Sequence, residues 1–324
     1  MQISRENFVE RRRSGIGGSD IAAIVGLSDW STPYDVWRSK VDPDREREAK
    51  TSASIPVRKG VALEALTAEL FAEKTGLKVQ RCNHQFTAPE VPFFTANLDR
   101  VIVDKGRAPV VRGELRTREI LECKAPTFVS AEWGEEWSDQ IPENYRCQVQ
   151  WYMGVTGAER TYLAALLNAD CKVYIIDRDE EQIAFLFQEG ARFWHDYVEP
   201  QLPPPVKTYE DAAKRYRTGV HGWTRTADAS LMAAIADYRQ MTAIIDEAEY
   251  TRDALKARIC AAMGDATEIR TEAGQKLATW SASKESTKID YKGIVNELAP
   301  DPAIIEKYTT KTATARRFML AAQK

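Results

Sequence analysis

Hydrophobic positions change period several times along the chain, and each period predicts an element. After the glycine-rich run Gly15-Ile16-Gly17-Gly18-Ser19-Asp20, the apolar Ile21-Ala22-Ala23-Ile24-Val25 reads as a short helix. Ser19 or Asp20 is placed to cap it and Gly26 to end it. Ser31-Thr32-Pro33 opens a second helix through Trp37, because proline suits the first helical position after a hydroxyl cap. The charged stretch from Asp42 to Ser54 reads as a loop. Between Gly60 and Gly76, Leu63, Leu66, Leu70 and Phe71 make a helical stripe. Glu64 and Glu73 border its two edges, and periodicity does not choose between them.

Strand signals follow. Val91 to Thr95 runs through Asp99 into Val101-Ile102-Val103, and a turn-rich insert from Lys105 to Arg118 carries Gly106, Pro109 and Gly113. Ile120-Leu121-Glu122-Cys123-Lys124 then alternates with the period of a strand. After Pro142, helical spacing puts Tyr145, Gln148, Val149 and Tyr152 on one face, either as a packing face that Gln148 merely borders or with Gln148 in use. Tyr162 to Leu167 and Val173 to Asp177 read as a strand hairpin, and Glu180 to Val198 as a long amphipathic helix. Ile183, Leu186, Phe187, Phe193, Trp194 and Tyr197 form its packing face, with His195 expected to be a satisfied packing histidine.

The proline run in Glu199-Pro200-Gln201-Leu202-Pro203-Pro204-Pro205 stops that helix and favours an extended linker, so the expected domains are 1–205 and 206–324. In the second part, Ala229 to Met263 is alanine-rich, and Leu231, Ile235, Tyr238, Ile245 and Leu255 predict a long partner-packing helix. Thr267 to Ser281 reads as a small hairpin turning near Gly274, and Ile289 to Leu298 as a short helix. Arg316-Arg317-Phe318 is a basic-aromatic cluster of a kind that can touch nucleic acid, with a surface terminus as the reading placed ahead of it.

Composition narrows the chemistry. The 324 residues carry 44% hydrophobic and 29% charged positions, as an ordinary globular chain does. Five cysteines are dispersed without a C-x-x-C pair and are expected to be reduced, and three histidines are scattered. Zinc hydrolysis, disulfide scaffolding and Cys-His nucleophilic catalysis therefore have nothing to work with, and catalysis falls to carboxylates. Met1 to Arg13 is polar and arginine-rich without an apolar signal core, and no run of 18 apolar residues follows, so a cytoplasmic protein without a membrane partner is expected. The net charge of −3 does not advertise nucleic-acid binding. It divides unevenly: 26 basic against 32 acidic side chains in 1–205, and 19 against 16 beyond. An acidic first part that bound a polyanion would need local basic patches, for which Arg11-Arg12-Arg13 is a candidate.

Strand alternation puts Glu122 and Lys124 on one face. An acid on one strand with Glu-x-Lys on the next is an arrangement in which two carboxylates hold Mg²⁺ and the lysine handles a nucleophilic water. The plainer reading is a surface hairpin with a cross-strand ion pair. Likewise the glycine-rich turn before the first helix exposes N–H groups suited to a phosphate, or is only a tight turn. It is not a Walker loop, since G-K-[ST] is missing.

Taken together, Gly15–Asp20, Gly60 with Glu64, Asp99, Glu122-Cys123-Lys124, and Ile141-Pro142-Glu143-Asn144-Tyr145 leading to Gln148 resemble, in order, the YqaJ-type viral recombinases, phage exonucleases related to lambda exonuclease within the PD-(D/E)XK superfamily. The resemblance covers residues 5 to about 205. It implies an α/β core with a mixed central sheet, Asp99 and Glu122 as metal-binding carboxylates aided by the Cys123 carbonyl, and Lys124 as the residue that orients or activates water. Glu64 would act on a second metal or its water, and Gln148 would support the lysine and substrate. Arg12 or Arg13, with Ser19, would receive a 5′-phosphate. The implied cofactor is Mg²⁺, two ions, with Mn²⁺ able to substitute. The implied activity is 5′-to-3′ digestion of one strand of duplex DNA, with double-stranded DNA ends, a phage single-strand annealing protein and further copies of the chain, as a ring such as a trimer, for partners. Such a protein would be phage or prophage encoded and act in a bacterial cytoplasm. Asp99 and Glu122 are 23 positions apart, more than the shortest spacings of the family, so the Lys105–Arg118 insert must loop out. A repair or restriction-type endonuclease on the same core, or a DNA-binding scaffold with a decayed site, are the alternatives. The role of the extension is left open.

Overall fold

Ile120 and Leu121 face opposite sides of a five-stranded sheet, and each side has its own apolar cluster. The computed structural model describes residues 13–42, 55–103, 106, 108–168, 170–282, 289–309 and 318–319. They form two compact units, 1–217 and 218–324.

In the first unit the elements run α1 (Gly18–Ile24), α2 (Pro33–Val41), α3 (Ile55–Thr75), β1 (Val79–Arg81), β2 (Gln85–Thr87), β3 (Thr95–Asn97), β4 (Arg100–Ile102), β5 (Val110–Val111), β6 (Glu114–Leu115), β7 (Glu119–Lys124), α4 (Glu143–Thr156), β8 (Arg160–Leu167), β9 (Asp170–Asp177), α5 (Glu180–Phe193) and α6 (Tyr209–Arg215). A five-residue π turn, Trp194–Val198, extends α5. The main sheet has the order β1-β4-β7-β8-β9. All its pairs are antiparallel except β7 and β8, which are parallel and joined over the sheet by α4. The architecture is therefore the expected mixed α/β sheet flanked by helices.

Alternation within the strands assigns the faces. Val101, Ile120, Leu163, Ala165, Tyr174 and Ile176 join α1, α4 and α5 in one cluster. Ile102, Leu121, Ala164 and Val173 pack on the other side against Ala68 and Phe71 of α3. Helix α3 begins before Gly60, and its inward line is Thr67, Ala68 and Phe71, while Leu66, expected in the stripe, is exposed. His195 is exposed too and takes Glu199 as partner at 2.9 Å, with the Phe93 ring edge-on, instead of packing inside.

The division falls after Arg217, not at the prolines. Pro204 is buried and its carbonyl accepts from Arg215, while Lys214 of α6 pairs with Asp35 of α2. These contacts hold the chain to the first unit for twelve residues beyond Pro205. Among the described residues, no helix is long and apolar enough to cross a membrane.

The second unit consists of α7 (Ala229–Met263), the hairpin β10 (Glu268–Arg270) and β11 (Lys276–Thr279), α8 (Tyr291–Leu298) and α9 (Pro302–Tyr308). Asp228 caps α7, accepting from Leu231 N at 2.8 Å, and Gly264 ends it with φ +52°. Helix α9 begins at Pro302 behind the N-cap Asp301, whose side chain accepts from Ala303 N.

Candidate active site

Strand β7 sends Glu122 and Lys124 to the same face, toward α4. Lys124 Nζ donates to Glu122 Oε1 at 2.7 Å and to Gln148 Oε1 at 2.8 Å. Gln148 Nε2 donates to that same Glu122 oxygen at 2.8 Å, so the three side chains close a ring of hydrogen bonds. The second proton of the amide goes to the Tyr152 hydroxyl at 2.7 Å. Lys124 Nζ also stands 4.9 Å over the ring of Tyr145. The Tyr145/Gln148/Tyr152 face of α4 is thus turned on the acid and the amine, with Gln148 at its centre. Glu122 is only 4% exposed, which removes the reading of Glu122 and Lys124 as a surface ion pair.

Register brings Asp99 to this group. Strands β4 and β7 pair Val101 with Ile120 and Arg100 with Leu121, so one further step sets Asp99 beside Glu122. The Cys123 N–H donates to Asp99 Oδ2 at 2.9 Å. The insert between the two strands loops out in part as the β5–β6 hairpin, turning at Arg112 and Gly113, both with positive φ, and leaves the register intact. Lys105 lies outside the described residues.

Glu64 reaches the site through Arg100. Arg100 Nη1 donates to Glu64 Oε1 at 2.5 Å and to the Asp99 carbonyl at 2.8 Å, and the guanidinium is buried. Glu73, on the other edge of α3, is exposed. Arg100 was not singled out from sequence, although its place one residue after Asp99 was the available signal. Tyr145 and Tyr152 were read as packing residues, and their contacts with Lys124 and Gln148 follow from the same i, i+3, i+7 spacing.

Electrostatics reflect three crowded acids. Burial raises the Asp99 carboxyl above its usual range, with Lys124 and the Cys123 N–H pulling it back. Glu122 is pushed up to about 8, first by burial and then by the charge of Asp99, with Glu64 adding to it. Burial opposes the Lys124 charge, but Glu122 and Asp99 outweigh it and hold the ammonium above its ordinary value. Burial also raises the Cys123 thiol, which keeps it protonated.

The glycine-rich segment is wedged against this centre. Ile16 bridges Phe94 in parallel, with Ile16 N donating to the Phe93 carbonyl at 2.7 Å and Thr95 N to the Ile16 carbonyl at 2.9 Å. A Cβ on Gly18 would stand 2.5 Å from Tyr152 Cε1 and 3.0 Å from Gln148 Cγ, so only glycine lets α1 start there. The cap differs from expectation. Gly17 is the N-cap, Asp20 accepts from Gly17 N at 3.1 Å, and the Asp20 carboxylate pairs with buried Lys40 at 2.7 Å. Ser19 is exposed in the first turn, one residue from the Gly18 contact, and Arg13 is half-buried. Arg12 lies outside the described residues. Trp30, 67% exposed, stacks on Tyr145 at 6.3 Å between centroids, so an aromatic side chain also borders the site.

Among the described residues no three Asp, Glu, His or Cys side chains gather closely enough to make a ready metal cluster. Glu122 is held by Lys124 and Gln148, and Glu64 by Arg100. The donor chemistry nevertheless fits a hard divalent cation: the half-buried Asp99 stands beside the buried Glu122 and its charge raises the proton affinity of Glu122, and the nearby thiol stays protonated.

Comparison with known proteins adds to this picture. The family described as YqaJ-like viral recombinase domain matches residues 7–159. Over 319 residues the chain is 32% identical to the uncharacterized protein YqaJ of Bacillus subtilis (strain 168), covering 96% of this chain and 92% of that protein. Among solved structures it is similar to LHK-Exo, an alkaline exonuclease from Laribacter hongkongensis, in complex with dAMP, with TM-score 0.44, 16% identity, and coverage of 60% of this chain and 93% of that one. It is also similar to a phage related exonuclease from Haemophilus somnus 129PT, with TM-score 0.37, 14% identity, and coverage of 58% and 95%.

Proposed function

Because the chain belongs to the YqaJ-like viral recombinase family, we propose that it is a Mg²⁺-dependent exonuclease that digests one strand of linear duplex DNA from its 5′ end and leaves 3′ single-stranded tails. The observation that carries this reading is the closed Glu122–Lys124–Gln148 ring beside the half-buried Asp99 carboxylate.

Asp99 and Glu122, with the Cys123 carbonyl, are the oxygen donors for the cation, and Glu64 serves a second ion or its water. Bound Mg²⁺, for which Mn²⁺ can substitute, supplies charge stabilisation at the scissile phosphate and lowers the pKa of water. Lys124, fixed by two hydrogen bonds and the Tyr145 ring, orients the attacking water. Gln148 holds Lys124 in register with Glu122, and Tyr152 fixes the orientation of the Gln148 amide. Water attacks phosphorus in line and the 3′-oxygen leaves, giving a 5′-phosphate product with no covalent enzyme intermediate. Arg12 or Arg13, with Ser19, receives the 5′-phosphate of the strand end. The Gly18 contact with Tyr152 and Gln148 supports this, since it brings Ser19 within one residue of the catalytic helix.

Partners in this reading are DNA ends, a phage single-strand annealing protein that takes the 3′ tail, and further copies of the chain closing a ring in the host cytoplasm. Glu122→Gln tests the assignment: cleavage disappears while the thermal transition and DNA binding persist. A fully active Glu122→Gln protein means that another carboxylate does the work. Separate replacement of Arg12 and Arg13 identifies the phosphate ligand as the one whose loss makes substrates with and without a 5′-phosphate equivalent.

A further inference from the structure

Helix α7 carries a seven-residue repeat along its whole 35-residue length. One line of the repeat is Leu231, Tyr238, Ile245, Arg252 and Ile259, and the line beside it is Ala234, Met241, Ala248, Leu255 and Ala262. Nine of these ten positions are apolar over five heptads, the pattern that makes one helix seek another along a narrow seam. Among the described residues the seam is open: Tyr238, Met241, Ile245, Leu255 and Ile259 are each between 48% and 59% exposed. Phe318 meets Tyr238 edge-on at 5.4 Å between centroids, and the seam residues keep that exposure beside it. Toward the C-terminal end of α7 the seam floors a groove of about 890 Å³, lined by Ala248, Leu255, Ile259 and Met263 and walled by Ala278 and Trp280 of the hairpin region.

We propose that the occupant of this seam is the α7 helix of a second copy of the chain, lying antiparallel. Size complementarity selects that direction. Run antiparallel about the point between Ile245 and Ala248, the repeat sets Leu231 against Ala262, Ala234 against Ile259, and Ile245 against Ala248 of the other copy, so large side chains meet small ones in those layers. Charge selects it too. Run parallel, the two Arg252 side chains would share one layer of the seam, a like-charge clash between copies. Run antiparallel, Arg252 lies against Met241, where its aliphatic stem packs, and Asp237 at the flank faces Arg258 of the other copy twice over. Opposite charges at such flanking positions choose partner and orientation more than they add strength. This interface belongs to the extension and is independent of the nuclease reading.

The mass of the full-length chain, by size exclusion with light scattering, tests the interface. Wild type is expected at an even multiple of the 36.6 kDa chain. Ile245→Glu and Leu255→Glu should each halve that mass, whatever the first unit does, while Tyr250→Glu, 79% exposed and off the seam, leaves it unchanged. Asp237→Arg should weaken association at least several-fold, and Asp237→Arg with Arg258→Asp should restore it. That rescue tests direction and introduces no charge into the seam. A wild-type chain that runs singly overturns the proposal, meaning that its own C-terminal residues or a different protein cover α7. An assembly whose mass ignores Leu255→Glu, with helix content unchanged by circular dichroism, overturns it as well, because copies then meet elsewhere. Failure of charge rescue overturns the antiparallel pairing.

Discussion

Gln148 Nε2 and Lys124 Nζ converge on a single carboxylate oxygen of Glu122, and Gln148 returns its carbonyl to the same ammonium. The amide therefore keeps the acid and the amine in one fixed geometry, as groups behind a reactive residue do when they set its orientation.

Replacing Gln148 with Ala removes that restraint and leaves Asp99, Glu122 and Lys124 in place. We expect kcat to fall by about 10–100-fold, the usual effect of losing a supporting partner, with a smaller change in KM. Steady-state cleavage of a linear duplex measures it, and wild-type turnover in Gln148→Ala would refute the positioning role.

Lys124→Met keeps the bulk of the side chain and loses the charge. Turnover should drop by about 10²–10⁴-fold, the range for loss of a group that handles a proton or orients water. Affinity for DNA, compared in Ca²⁺ so that cleavage does not interfere, should stay within a few-fold. An equal loss of affinity and turnover would make Lys124 a substrate-binding group.

Two glycines should respond oppositely to alanine. At Gly18 the added Cβ meets Tyr152 at 2.5 Å, so Gly18→Ala should cost about 1–3 kcal/mol of stability by overpacking and disturb the Gln148 contact. At Gly60, inside α3, no described residue lies within 4 Å of the added carbon, and Gly60→Ala should stabilise by about 0.5–1 kcal/mol. Thermal unfolding of both variants separates the cases, and equal melting temperatures would contradict the packing at Gly18.

Stability without metal should depend on pH through Glu122. Its carboxyl titrates near 8 in the folded chain against an ordinary 4.5, so the folded state keeps a proton that the unfolded state releases between those values. Where the folded state binds more protons, stability falls as pH rises. With chelator present, Tm should decline from pH 6 to pH 8.5, Glu122→Gln should flatten the decline, and Mg²⁺ should restore stability at the alkaline end. A Tm that rises over this range, equally in both proteins, would contradict the crowded-acid arrangement.

Much of the site was legible because it depends on short-range periodicity. Strand alternation set Glu122 and Lys124 on one face, and helical spacing put Gln148 between two tyrosines. What sequence could not resolve depends on partners far along the chain. Glu64 and Glu73 border α3 alike, and only Arg100, across the sheet, distinguishes them. Asp20 looked free to cap α1, yet its carboxylate also pairs with Lys40, twenty residues on. The prolines near 204 signal a linker, but contacts of Lys214 and Arg215 return the chain to the first unit. Strands β1 and β2, three residues each, are too short to show a period.

The most direct test of the central claim follows a linear duplex labelled at the 5′ end of one strand, beside a closed circular duplex, with Mg²⁺ or with EDTA. The account predicts early release of the label as a 5′-mononucleotide from the linear substrate in Mg²⁺, an intact circle, and no reaction in EDTA. Cutting of the circle, label retained on long fragments while the strand is degraded, or equal activity in EDTA would contradict it.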